Sequence, residues 1–147
     1  MKTSLYLRIA SVLTFLHALL HTAGGVFGKQ TPGAQQMVAS VMKANAFPVM
    51  GGTVRTFWEF YLGMGLAVSV FLTLESIIFW QLSVLAKRES QQLRPLLATF
   101  LAGYVGLALV SARFFFAPPV ITEILIAACL GVAFWKAGPR PVESRTS

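Results

Sequence analysis

Two histidines, His17 and His21, stand four residues apart in an apolar run, so on a helix both imidazoles leave the same face, one turn apart. That is the spacing of helix-borne zinc or iron ligands, and Glu59 and Glu123 are the carboxylates that could complete such a set. The same residues could do acid/base chemistry, since imidazole changes charge near neutrality and a buried carboxylate beside it has a tunable proton affinity. No HExxH, no cysteine cluster and no third histidine accompanies the pair, so no cofactor is identified by these residues. A haem is disfavoured because one helix cannot supply both axial ligands. No phosphate-binding loop, serine or cysteine nucleophile motif, or selectivity filter is present.

Two arginines join these carboxylates near the ends of apolar runs. Arg55 and Glu59 open the second run, Arg113 closes the third, and Glu123 comes one turn into the fourth. Together with Trp58 and Tyr61 they are expected to form, with His17 and His21, a polar ligand pocket between helices. The plainer reading is structural. Arg55 can pair with Glu59 one turn away, Arg113 can pair with Glu123 across a tight turn, and Trp58, Tyr61, Trp80 and Trp135 can form aromatic belts at the bilayer interface.

The elements that would position these groups follow from composition. The chain has 147 residues, 56% of them hydrophobic and only 12% charged, with a mean hydropathy of +0.70. So few charges cannot clothe a water-soluble domain of this size, and lipid is the expected solvent. The reading is an all-α integral membrane bundle of four transmembrane helices over about 5–27, 56–85, 95–116 and 119–136, followed by a polar tail at 137–147. Each apolar run approaches or exceeds the length of about 20 helical residues that crosses a bilayer. The first run is longer than a signal-peptide core and lacks a clean cleavage pattern, so it is read as a retained helix. Between the first two spans, Met37, Val38, Val41 and Met42 recur among glutamines and Lys43, the pattern of a short amphipathic interfacial helix over 33–45.

Four faces are expected to look inward. They carry Ala10, Thr14, His17 and His21 on the first span; Glu59, Gly63, Leu66, Val70 and Thr73 on the second; Ala102, Gly106, Leu109 and Arg113 on the third; and Glu123, Ala127 and Gly131 on the fourth. Glu75 lies 16 residues beyond Glu59, roughly 24 Å along the axis, and is expected to pair with Arg8 or Arg94 rather than share a site.

The net charge of +7 is read as topology rather than as nucleic-acid binding. Lys2, Arg8, Lys87, Arg88, Arg94, Lys136, Arg140 and Arg145 fall on one side, against Lys29, Lys43, Arg55 and Arg113 on the other, which places both termini in the cytoplasm. Cys129, the single cysteine, cannot form an internal disulfide.

In overall layout the chain resembles the small four-helix bacterial inner-membrane proteins of the DoxX-like type. In helix count, and in having His17, His21, Glu59 and Glu123, it is also similar in outline to the emopamil-binding and sigma-2-receptor type, whose members use histidine and acidic residues within the membrane to bind or isomerise sterol-like cations. The first resemblance implies a bacterial inner membrane. The expected function is binding, with transport as an extension, of a small amphipathic or lipid-like ligand in the outer half of the bundle. A membrane-embedded enzyme using Glu59 or Glu123 with His21, and a structural subunit of a larger assembly, are the alternatives. The expected partners are the lipid bilayer, such a ligand and further copies of the chain, with no nucleic acid.

Overall fold

The computed structural model describes residues 2–138, so the tail expected over 137–147 lies outside the described residues beyond Gly138. The chain forms α1 (Lys2–Leu20), a π-helical turn (His21–Val26), α2 (Ala34–Ala44), β1 (Ala46–Pro48), β2 (Val54–Thr56), α3 (Phe57–Glu89), α4 (Arg94–Phe114) and α5 (Ala117–Lys136). Among the described residues, three stretches are long and apolar enough to cross a membrane, Thr3–Val26, Phe57–Phe114 and Ala117–Lys136. The second contains both α3 and α4, joined by a 3-10 turn at Ser90–Leu93, so four long helices stand where four were expected.

Local signals set the helix starts. Both α4 and α5 carry proline in their first turn, where the missing N–H costs no hydrogen bond. α3 begins with a capping box: the Glu59 backbone N–H donates to Thr56 Oγ1 at 3.1 Å, and Glu59 Oε2 accepts from the Thr56 backbone N–H at 2.7 Å and from its hydroxyl at 3.1 Å. Thr56→Ala removes this cap and is expected to cost about 1 kcal/mol. Hydrogen exchange at the amides of Phe57 to Phe60 reads that loss locally, and unchanged exchange there would show that the cap is redundant.

The chain divides into two compact units, residues 1–17 with 74–147, and residues 18–73. In the first unit, the start of α1, the second half of α3, α4 and α5 enclose a core that includes Leu7, Phe79, Leu97, Tyr104, Ile126 and Leu130. The Phe79 ring meets Phe100 edge-on, with centroids 5.0 Å apart. α4 and α5 pack along one another extensively. The buried face of α4 carries Leu97, Tyr104 and Ser111, seven residues apart in turn. The stripe of Ala102, Gly106, Leu109 and Arg113, expected to be buried, faces outward instead. The larger side chains fill the core, and the Tyr104 hydroxyl finds a hydrogen-bond acceptor inside the unit.

In the second unit, α1 runs into the π turn, where the Phe27 N–H reaches back five residues to the Thr22 carbonyl at 3.0 Å. The turn delivers Val26 against Gly65 of α3 so closely that a β-carbon there would lie 3.0 Å from a Val26 methyl. α2 occupies most of the expected 33–45 segment, with Met37, Val38 and Val41 outward and Ala39 buried. The sequence reading did not include a hairpin. β1 and β2 pair antiparallel, Phe47 opposite Arg55, and the turn between them has Gly51 and Gly52 at φ 79° and 77°, where glycine is favoured. Phe47 anchors the hairpin by packing its ring against Phe57 at 4.6 Å and Phe60 at 5.8 Å.

Candidate functional site

The polar interior of the first unit starts where α1 and α3 touch. Ser11 donates to the Ser76 carbonyl at 2.8 Å, and Ser76 donates to the Ser11 carbonyl at 3.0 Å. Two small side chains thus let the backbones approach while each hydroxyl is satisfied on the opposite helix. One turn further along α1, the fully buried Thr14 gives its proton to the Ala10 carbonyl at 2.9 Å. Tyr104, from α4, donates to Glu75 Oε2 at 2.8 Å and lies 3.4 Å from the Thr14 hydroxyl.

The proton count matters here, because each hydroxyl has a single hydrogen. With Thr14 committed to Ala10 and Tyr104 committed to Glu75, no proton remains for the 3.4 Å contact. The phenolic oxygen therefore keeps acceptor capacity.

Two turns along α4 from Tyr104, Ser111 donates to Glu123 Oε1 at 2.9 Å. Glu123 is only 5% exposed, and among the described residues its Oε2 is buried with no hydrogen-bond partner. Among the described residues, Glu123 Oε2 and the Tyr104 oxygen therefore keep acceptor capacity inside this unit. Such a line suits a group that brings N–H donors or positive charge.

The eight residues expected to share one pocket divide between the units. His17, Arg113 and Glu123 belong to the first, and His21, Arg55, Trp58, Glu59 and Tyr61 to the second. His17 is half-buried on α1. Arg113 is exposed, its guanidinium 5.3 Å from the centroid of the adjacent Phe114 ring, while Glu123 takes Ser111 as its donor.

In the second unit, His21 Nε2 lies 3.1 Å from the Gly65 carbonyl. A carbonyl only accepts, so Nε2 carries a proton and is not available to a metal in this arrangement. Beside it, Thr22 donates to Ser69 at 2.8 Å, which ties the end of α1 to α3. Glu59 is exposed and serves as the helix cap, and Arg55 donates to the Val54 carbonyl at 3.2 Å. Both line an open groove of about 310 Å³ with Phe60, Gly63 and Met64. Lys43 sits over Trp58 at 4.7 Å, and the Trp58 and Tyr61 rings are 5.7 Å apart. Among the described residues, no group of three or more His, Cys, Asp or Glu side chains is gathered closely enough to hold a metal ion.

No protein-family model, curated protein or solved structure matches this chain. The chemistry of the site is therefore read from its own donors and acceptors.

Three of the residues that matter, Tyr104, Ser111 and Glu75, were not among the expected pocket residues. A usable signal was the seven-residue recurrence of Leu97, Tyr104 and Ser111, which marks one helical face and places two hydroxyls on it. Glu75 was expected to pair with Arg8 or Arg94. Instead it accepts from Tyr104, while the guanidinium groups of Arg8 and Arg94 lie over the rings of Trp80 and Phe134, at 5.2 and 4.5 Å from the centroids.

Proposed function

We propose that this chain is an integral membrane protein whose four long helices cross the bilayer with both termini cytoplasmic, and that it binds a small amphipathic ligand. The ligand presents a cationic or N–H-rich head to Glu123 and the Tyr104–Glu75 pair, and an apolar body to the helices. The observation that carries this reading is the second oxygen of Glu123, buried without a partner among the described residues. A carboxylate left in that condition costs several kcal/mol or more, and a donor from a ligand removes the penalty.

The excess of basic residues at the α1 start, the α3–α4 turn and the α5 end supports the cytoplasmic assignment of that side. Glu123, at the opposite end of α5, then falls in the outer half. The outward Met37, Val38 and Val41 suit α2 to the headgroup layer. A bacterial inner membrane is proposed on the resemblance to the small four-helix proteins of that membrane.

The test uses the full chain in mild detergent. A long-chain primary amine is expected to raise the thermal midpoint of the wild type, and the alcohol of equal chain length is not. In Glu123→Gln, whose amide supplies its own donor, the apparent affinity for the amine is expected to fall at least about tenfold, given that a charge-assisted hydrogen bond contributes roughly 1.5–3 kcal/mol. Equal responses to amine and alcohol in the wild type, or an unaltered amine response in a folded Glu123→Gln protein, would refute the reading.

A further inference from the structure

Where α1 and α3 meet through Ser11 and Ser76, the outer side of the contact is an open groove of about 340 Å³, lined by residues that include Val12, Phe15, Leu16 and Trp80. Both serine hydroxyls on its floor are already bonded to carbonyls, so the groove offers almost nothing to a polar molecule. Its length follows from α1: Ser11 to Leu16 rises about 8 Å, and the distance from Arg8 is about 12 Å, the length of the upper part of an acyl chain.

The Arg8 end of the groove is charged. Arg8 sits over the Trp80 ring, and among the described residues its Nε is buried with no hydrogen-bond partner. Beyond it, at the same end of this unit, lie Lys87, Arg88, Arg94 and Lys136, against one acidic residue among the described ones, Glu89. An apolar trough leading to a guanidinium charge, inside a basic collar, matches one kind of molecule: apolar chain below, phosphate above.

We infer that this groove holds one acyl chain of an anionic phospholipid, whose phosphate is bound by Arg8. The inference rests on the membrane reading above. The site differs from the interior acceptor line, since it faces outward and selects negative rather than positive charge. Basic side chains at a membrane surface favour anionic lipid by an amount corresponding to about fivefold in relative affinity for each residue.

Trp80 reports on the groove directly once Trp58→Phe and Trp135→Phe leave it as the sole tryptophan. The protein is placed in phosphatidylcholine vesicles containing graded amounts of brominated phosphatidylglycerol or brominated phosphatidylcholine, and quenching of Trp80 is followed. Half-maximal quenching is expected at about fivefold lower mole fraction of the brominated anionic lipid than of the zwitterionic one. Arg8→Gln is expected to abolish that preference and Arg8→Lys to keep most of it. Equal quenching by the two lipids in the parent protein overturns the inference while leaving the membrane reading intact, and this comparison holds even if Arg8→Gln does not fold. A chain that fails to float with vesicles refutes the membrane reading, and the groove assignment falls with it. A preference that survives in a folded Arg8→Gln protein assigns the selection to the collar and removes Arg8 from the phosphate.

Discussion

Tyr104→Ala is expected to destabilise the first unit by about 3–5 kcal/mol, the range for removing a buried aromatic ring. Tyr104 is 1% exposed and its ring lies 6.0 Å from that of Phe79, so truncation leaves a cavity that fixed helices close only in part. Within a bilayer the loss is one of packing contacts rather than of hydrophobic transfer, because lipid tails are as apolar as the core. Tyr104→Phe separates the two contributions. The ring stays and only the hydroxyl leaves, so Glu75 loses its donor and the expected cost is about 1–3 kcal/mol. Unfolding in mixed micelles by graded denaturing detergent measures both variants. If Tyr104→Phe is as stable as the parent, Glu75 reaches water or another donor, and the Tyr104–Glu75 pair no longer counts as part of an interior site.

Gly65→Leu is expected to destabilise the second unit by about 1–3 kcal/mol through overpacking, whereas Gly63→Leu is expected to be neutral or stabilising. The two glycines are two residues apart on α3, and leucine is the better helix former at both, by up to about 1 kcal/mol. Their surroundings set the difference. A β-carbon at Gly63 meets nothing within 4 Å, while one at Gly65 lies 3.0 Å from a Val26 methyl, on the residue whose carbonyl faces His21. Val26→Ala should restore part of what Gly65→Leu loses. Equal melting behaviour of the two leucine variants would show that the α1 end does not press on α3 as described.

The four long helices were legible because apolar runs near or above 20 residues, bounded by proline, glycine and basic clusters, leave little choice of structure. A helix, α2, also stands over most of the 33–45 segment where the recurrence of Met37, Val38, Val41 and Met42 suggested one. The hairpin was not legible. Strands of three residues carry no period of two, and Phe47 shows its anchoring role only when Phe57 and Phe60 are in place. Glu59 misled in an instructive way. A carboxylate at the edge of an apolar helix suggests a buried site, yet Thr56 three residues earlier spells the capping box that explains it.

Choice of helix face was the harder problem. On the first span Ala10 and Thr14 of α1 are buried and His17 and, in the π turn, His21 are half-buried, as expected, whereas on α3 Glu59, Gly63, Leu66 and Val70, expected inward, are exposed. On α4 the small residues were read as the contact surface, while bulk and hydrogen bonding put Leu97, Tyr104 and Ser111 there. Glu123 could be selected from sequence as an ionisable group inside an apolar run. Its donor could not, since Ser111 lies on another helix and serines are common in such segments.

The π turn also bears on how the gene can change. Its wide loop behaves as one surplus residue in an otherwise regular screw, and α-helical spacing assigns about 100° of azimuth to each residue. A single-codon deletion between Thr22 and Val26 would take out that surplus residue and restore the common pitch with Val26 near its present phase, whereas a further inserted codon would turn Val26 away from Gly65 by about that angle and leave a notch on α3. The wide turn thus makes this stretch more tolerant of losing a residue than of gaining one.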